Sequence, residues 1–483
     1  MAGIGFTLKR LFYKDTFSDR FRAYAFSSLV AAGPWLSAVL VVNILLLVAE
    51  RYIMAPSDRL LFMSTIVYSF IFSQIITAPW QFVATRYIAD RLFHKEYDYI
   101  KPSLMGVSKI VFTLAFVAQA IFYLRTPLPS YYIFMAASLF LILTLTWILM
   151  VYMSAAKDYL AIARSFIWGG VVTVALSFLL FAKPIHFPLH LYASNMLLAY
   201  VVGLAVTLLL LVRTFLVIFT FGNNYEFDFL RYLNKVGSLF FIGLFYTLAT
   251  WIDTILIWNS EYGGLIYGTY RFALHYDHAK FLAYLTIIPT SVLFLVYVET
   301  EFYDKFKTYF QAIRGGASLA EIVAARQVMV QLAYRHIVYL LERQVLITFT
   351  VLVLSNSLFV ALGFSVLLVD VFRITALAAI CNAIMLVVLL MLLYFEARLE
   401  ALLVAAVFFV ANLVLTAAFI PLGSAYLGLG LFLSALIALL MSIWILSAYL
   451  RRIEYTTFTR QPYFAVPEKG MFISLADYLN SHS

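Results

Sequence analysis

Asp253 stands in Thr250-Trp251-Ile252-Asp253-Thr254, inside a run otherwise free of charge. A carboxylate there can bind a cation, hold a substrate hydroxyl, or pair with a base; Arg271 and Lys280 follow closely enough to supply one. Charges inside a bilayer are costly and usually functional, but Asp253 reads more readily as a structural group at the outer end of its helix beside Trp258. His275 and His278 flank Tyr276-Asp277. Two imidazoles and one carboxylate permit a metal without specifying one, and an interfacial loop explains them as well. The chain has no Walker sequence, no Gly-rich dinucleotide loop and no HExxH motif. Its single cysteine, Cys381, can form neither an intrachain disulfide nor a cysteine cluster. These residues assign no catalytic group, no cofactor and no metal, and the chain does not read as an enzyme.

A second kind of candidate is conformational. Proline in a helix interior removes a hydrogen bond and clashes with the preceding turn. Gly33-Pro34-Trp35 and Pro79-Trp80 interrupt the first two apolar runs, and Gly243, Trp251 and Pro289 fall in the seventh and eighth. Pro79 and Pro289 are related by the same offset that places Ser28 on Ser238 and Gly33 on Gly243, as expected of an internal repeat. Paired interruptions point to a transport path or hinge; the alternative is tolerated kinks and ordinary packing.

The elements that must position these residues are membrane helices. Of 483 residues, 64% are hydrophobic and 12% charged, against about 25% charged in soluble proteins. Apolar runs of about 20 residues read as spans, and they are expected at 23–49, 61–85, 104–124, 131–153, 159–182, 191–220, 235–258, 279–298, 344–362, 371–393, 399–419 and 425–449. The runs are apolar all round and too long for barrel strands. The expected fold is therefore an all-α polytopic membrane protein of about twelve transmembrane helices, in two six-helix bundles related by a pseudo-repeat. With both termini cytoplasmic, basic residues favour the inner side by roughly four to one. Arg51, Arg59, Arg125, Lys183, Arg271, Lys280 and Arg373 are the exceptions. The net charge of +9 thus reports topology and anionic lipid headgroups, with no nucleic acid implied.

The domain boundaries follow: a cytoplasmic segment 1–22, an N-terminal bundle 23–222, a C-terminal bundle of 223–299 and 344–449, a cytoplasmic helical hairpin 300–343, and a cytoplasmic tail 450–483. In the hairpin Phe302, Phe306, Tyr309 and Phe310 recur at helical spacing and offer a face for docking a partner, or for packing on the membrane surface. Gly315-Gly316 breaks the first helix, and Ser318-Leu319-Ala320-Glu321 reads as a capping box opening the second. Inside the spans, Gln74, Gln81, Asn195, Asn356, Asn382 and Asn412 stand among many Phe and Tyr. Such surroundings suit a neutral sugar better than an ion, although the same aromatics pack helices.

Several of these residues carry a family likeness. Met1-Ala2-Gly3-Ile4-Gly5-Phe6, Arg22-Ala23-Tyr24, Gly33-Pro34-Trp35, Arg86-Tyr87-Ile88-Ala89-Asp90-Arg91-Leu92, Trp251-Ile252-Asp253, Tyr276-Asp277, Phe281-Leu282-Ala283-Tyr284-Leu285, Ile288-Pro289 and Glu299-Thr300-Glu301-Phe302-Tyr303 together resemble the PelG family of inner-membrane exopolysaccharide transporters. The resemblance implies a flippase of the multidrug/oligosaccharidyl-lipid/polysaccharide superfamily, MATE-like, in the bacterial inner membrane, its two bundles enclosing a lumen. It implies export of a neutral polymer rich in N-acetylhexosamine for biofilm. It also implies as partners a cytosolic PelF-like glycosyltransferase, a PelD-like cyclic di-GMP sensor and a PelE-like membrane subunit. Two other functions fit the residues: an ion-coupled antiporter or flippase for drugs or lipid-linked sugars, with Asp253 its coupling carboxylate, and a non-conducting membrane scaffold of a polysaccharide synthase.

Overall fold

A computed structural model describes residues 33–34, 36–48, 55–156, 158–182, 192–361, 363–459 and 470–482, with Ser28 and Glu50. The expectations for residues 1–22, for Trp35 and for part of the tail lie outside these residues. The described helices are α1 Leu36–Val48, α2 Pro56–Phe93, α3 Ile100–Tyr123, α4 Ser130–Ala155, α5 Tyr159–Ala182, α6 Tyr192–Ile218, α7 Arg231–Trp258, α8 Leu274–Leu285, α9 Ile288–Tyr297, α10 Tyr303–Arg314, α11 Leu319–Ala361, α12 Val366–Tyr394, α13 Arg398–Phe419, α14 Leu429–Arg451, α15 Ile453–Thr459 and α16 Met471–His482. One antiparallel hairpin, β1 Gly264–Ile266 and β2 Tyr270–Phe272, pairs Leu265 with Arg271. Among the described residues eleven helical segments are long and apolar enough to cross a membrane, and α1 is a shorter apolar helix. The chain is therefore a polytopic α-helical membrane protein, as its composition required: backbone groups in lipid must be satisfied within the helix.

Three spans differ from their expected form. α2 is a single helix of 38 residues, with Pro79 inside it. The eighth span is not one helix. α8 ends at Leu285 and α9 begins at Ile288, with Pro289 in its first turn. Proline is at home there, because the first-turn N–H has no partner to lose. Pro79 and Pro289 consequently do different things, one bridged by an unbroken helix and the other opening a new one. The ninth span, finally, is the far end of α11, which runs for 43 residues without a break from the turn at Gly315-Gly316.

Packing divides the chain into two compact units, and the division falls within α7. One unit holds Gly33–Trp251, Gly263–Phe272 and Val466–Ser483. Its α5 and α6 cross where both are thinnest. A Cβ on Gly169 would lie 2.6 Å from the Gly203 carbonyl oxygen, and one on Gly203 would lie 2.5 Å from that of Gly169. Without side chains the backbones close up, which drives helix association where lipid supplies no hydrophobic force. At one end of this unit Arg91 pairs with Glu96 and Asp228, Arg231 pairs with Asp477, and Ala476 of α16 is fully buried. The other unit holds Ile252–Tyr262 and Ala273–Ala465. α12 is its centre, packed on α8, α11 and α14.

Candidate functional site

Asp253 is fully buried and does not stand alone. Tyr276 and Lys280 lie four residues apart on α8, so both present to one side of that helix, and both reach the carboxylate. The Lys280 Nζ donates to Oδ1 at 3.0 Å and Oδ2 at 2.8 Å, and to Thr254 Oγ1 at 3.0 Å. The Tyr276 hydroxyl donates to Oδ2, and Asn412 Nδ2 of α13 reaches Oδ1 at 3.3 Å. Thr416, one turn on, donates to the Asn412 side-chain oxygen at 2.8 Å and fixes the amide's orientation. Lys280, expected among the outer charges, is therefore an interior residue, its side chain 6% exposed. Of the two bases the sequence offered Asp253, Lys280 is the partner, and the pair brings no net charge into the unit. Such a pair persists only with its remaining lone pairs and protons satisfied, and Thr254, Tyr276 and Asn412 do this.

The neighbouring carboxylate, Asp277, accepts from Trp258 Nε1 at 3.0 Å and from the Ala273 N–H at 3.0 Å. His275 turns its Nδ1 to Ser365 Oγ at 3.2 Å. Asp277 and His275 are thus engaged in separate local contacts. Among the described residues no group of three or more His, Cys, Asp or Glu converges as a metal site.

A further polar group was not legible in the sequence. Gln344 of α11, fully buried, donates through Nε2 to the Thr286 carbonyl at 3.2 Å and to Thr348 Oγ1 at 2.9 Å, while Oε1 accepts from Thr290. It fills the hydrogen-bonding gap left where α8 stops and α9 starts. An amide in an apolar run, opposite a proline, was the only signal.

In the other unit the hinge candidates gather along α2 and α7. Gly243 lets α7 approach α2 so closely that a Cβ would lie 2.7 Å from the Ala78 carbonyl oxygen, beside Pro79. Two turns along, Trp251 Nε1 donates to Gln74 Oε1 at 3.1 Å. Trp80 sets its ring edge-on to Phe240, 5.2 Å between centres. Pro79, Trp80, Gly243 and Trp251 thus belong to one helix contact. Gly33 and Pro34 lie in helical backbone, the glycine buried. Pro289 belongs to the other unit and is exposed.

The face proposed for docking is used within the chain. Phe302 and Phe306 pack on Tyr394 at 5.6 and 5.3 Å and on Phe395 at 5.9 Å each. Tyr309 is fully buried, and Phe310 lies 4.6 Å from Phe306. These rings hold α10 to the end of α12, so its exposed side is that of Lys305, Lys307 and Gln311. Ser318 and Glu321 do form the capping box, with the Ser318 N–H donating to Glu321 Oε2 at 2.8 Å and the Glu321 N–H to Ser318 Oγ at 3.4 Å.

This arrangement of helices is similar to that of solved MATE structures. A MATE structure in a bent conformation superposes with a TM-score of 0.59 at 12% identity, covering 95% of this chain and 100% of that one. A mutant of the Vibrio cholerae MATE transporter VcmN gives 0.58 at 12% identity, with 92% and 98% covered. A MOP superfamily transporter from Pyrococcus furiosus gives 0.58 at 12% identity, with 89% and 96% covered. At such identities the likeness is one of fold. The family is shown by sequence: the model described as "PelG: Putative exopolysaccharide Exporter (EPS-E)" matches residues 1–458, and the chain belongs to that family. No curated protein matches it.

Proposed function

We propose that this protein exports a neutral, N-acetylhexosamine-rich polysaccharide across the bacterial inner membrane, fed by a cytosolic PelF-like glycosyltransferase and assembled with PelD-like and PelE-like subunits. Family membership supports the class of cargo. The observation that carries the reading is the state of the charge buried in α7 and α8. Asp253 is neutralised by Lys280, and Asp277 is held by an indole and a backbone N–H. A carboxylate so engaged offers little to a mobile cation, which favours a neutral cargo over an ion cycle. Deleting the chain should abolish secreted polymer while glycosyltransferase activity persists in extracts; continued secretion would overturn the reading.

The second reading is an antiporter or flippase coupled to ions, favoured by the MATE fold itself. It requires Asp253 to exchange partners during transport. Asp253→Asn would then uncouple transport in protein that still folds.

A further inference from the structure

The segment between α6 and α7 folds back on the start of α3, within the unit that holds both. Asn223 is fixed there on three sides. Its N–H donates to the Asp98 carbonyl at 3.0 Å, its Nδ2 to Asp98 Oδ2 at 3.3 Å, and its Oδ1 accepts the Tyr225 N–H at 2.9 Å. The Lys109 ammonium pairs with Glu226. Lys101 and Met105 of α3, with Asn223, Asn224 and Glu226, line a cavity of about 270 Å³. Tyr225, between two lining residues in the chain, stacks flat on Tyr99 at 5.8 Å and 11° and is still 48% exposed. The Arg91 guanidinium lies 4.1 Å from the Tyr99 ring centre and braces the stack. The same connecting segment lines a neighbouring depression of about 460 Å³, with Tyr97, Phe219 and Phe221.

We propose that this cavity is a saccharide subsite for one neutral N-acetylhexosamine unit, with the aromatic depression beside it receiving the next. The proposal rests on the export reading and names where the polymer is first held. The chemistry is that of carbohydrate recognition. An exposed, braced aromatic ring suits the apolar face of a pyranose, and a few placed polar groups in a concave site fix orientation. Side-chain amides supply both donors and acceptors for hydroxyl and acetamido groups, and Met105 offers an apolar contact for the acetyl methyl. Asp98 and Glu226 balance Lys101 and Lys109, so the site has no net charge with which to select an anionic headgroup. The α2–α3 and α6–α7 connections lie on the side that the basic residues assign to the cytoplasm, where a polymer leaving a cytosolic glycosyltransferase arrives.

The test uses the full chain in phosphatidylcholine nanodiscs and a neutral tetramer of N-acetylglucosamine, read by saturation-transfer NMR. The wild type should bind, with the strongest transfer to the acetyl methyls. Asn224→Ala and Tyr225→Ala should each weaken binding roughly five- to tenfold, the loss of about one hydrogen bond or one stacking contact. Tyr225→Phe should bind like the wild type, because the ring and not the hydroxyl is used; circular dichroism confirms that all variants are folded. No binding by the wild type, wild-type affinity in both alanine variants, or binding only when phosphatidylglycerol replaces phosphatidylcholine would each overturn the subsite. Those outcomes leave the export reading standing, since it falls only if polymer is still secreted without the chain.

Discussion

The most informative residue is Lys280. Hydropathy located Asp253 within an apolar run and offered it two bases, but could not show which helices meet. The pairing depends on Tyr276 and Lys280 sharing one face of α8, and on α13 bringing Asn412 to the same point. Removing either charge leaves the other buried without a counter-ion, at a cost of about 3–5 kcal/mol. Asp253→Asn and Lys280→Met should each lower the thermal midpoint of detergent-purified protein sharply. Combining them replaces the pair by neutral groups and should recover most of the loss; midpoints that fell additively would show that the two do not stabilise each other. The double variant also separates the two functional readings. Retained secretion makes the pair a structural lock, whereas lost secretion in folded protein makes Asp253 part of an ion cycle.

At the scale of elements, the existence of the spans was readable because length and continuous apolarity fix it. Their internal breaks were not. Proline at 79 and at 289 looks alike in sequence, yet α2 continues through the first and α9 starts at the second, where Gln344 supplies the missing bonds. Gln344→Leu should strand the Thr286 carbonyl and the Thr290 hydroxyl at a cost of roughly 1–3 kcal/mol. Hydrogen exchange should then quicken at residues 287–291 while α12 stays protected; unchanged exchange would mean that the break holds without Gln344. The 300–343 hairpin teaches the same lesson. Its helical spacing identified an apolar face but not what that face covers, and the cover is Tyr394 and Phe395 of the same unit. Phe306→Ala should therefore loosen α10 by about 1–3 kcal/mol, less than a fully buried phenylalanine because Phe306 is half-buried. Faster proteolytic nicking at Gly315-Gly316 is the readout. The same variant should still copurify with the glycosyltransferase if docking uses the outer side, Lys305, Lys307 and Gln311.

For the whole molecule, the number of spans and the distribution of basic residues constrain each other. The expected even count would put both ends on one side, and we propose from the excess of Lys and Arg on alternate connections that this side is the cytoplasm. Adding or losing one span would exchange the sides of every later connection and scatter the basic residues over both faces. The export reading needs this orientation, because the connections after α2 and α6 must face the source of polymer. Green fluorescent protein fused after Ser483 should therefore fluoresce, and alkaline phosphatase fused there should be inactive. Phosphatase inserted between α3 and α4, near Arg125, should be active. An active phosphatase at the C-terminus would turn the α2–α3 and α6–α7 connections outward. The polymer would then have to be held first at the opposite end of the molecule, and the site built on Asn224 and Tyr225 would be an exit rather than a point of capture.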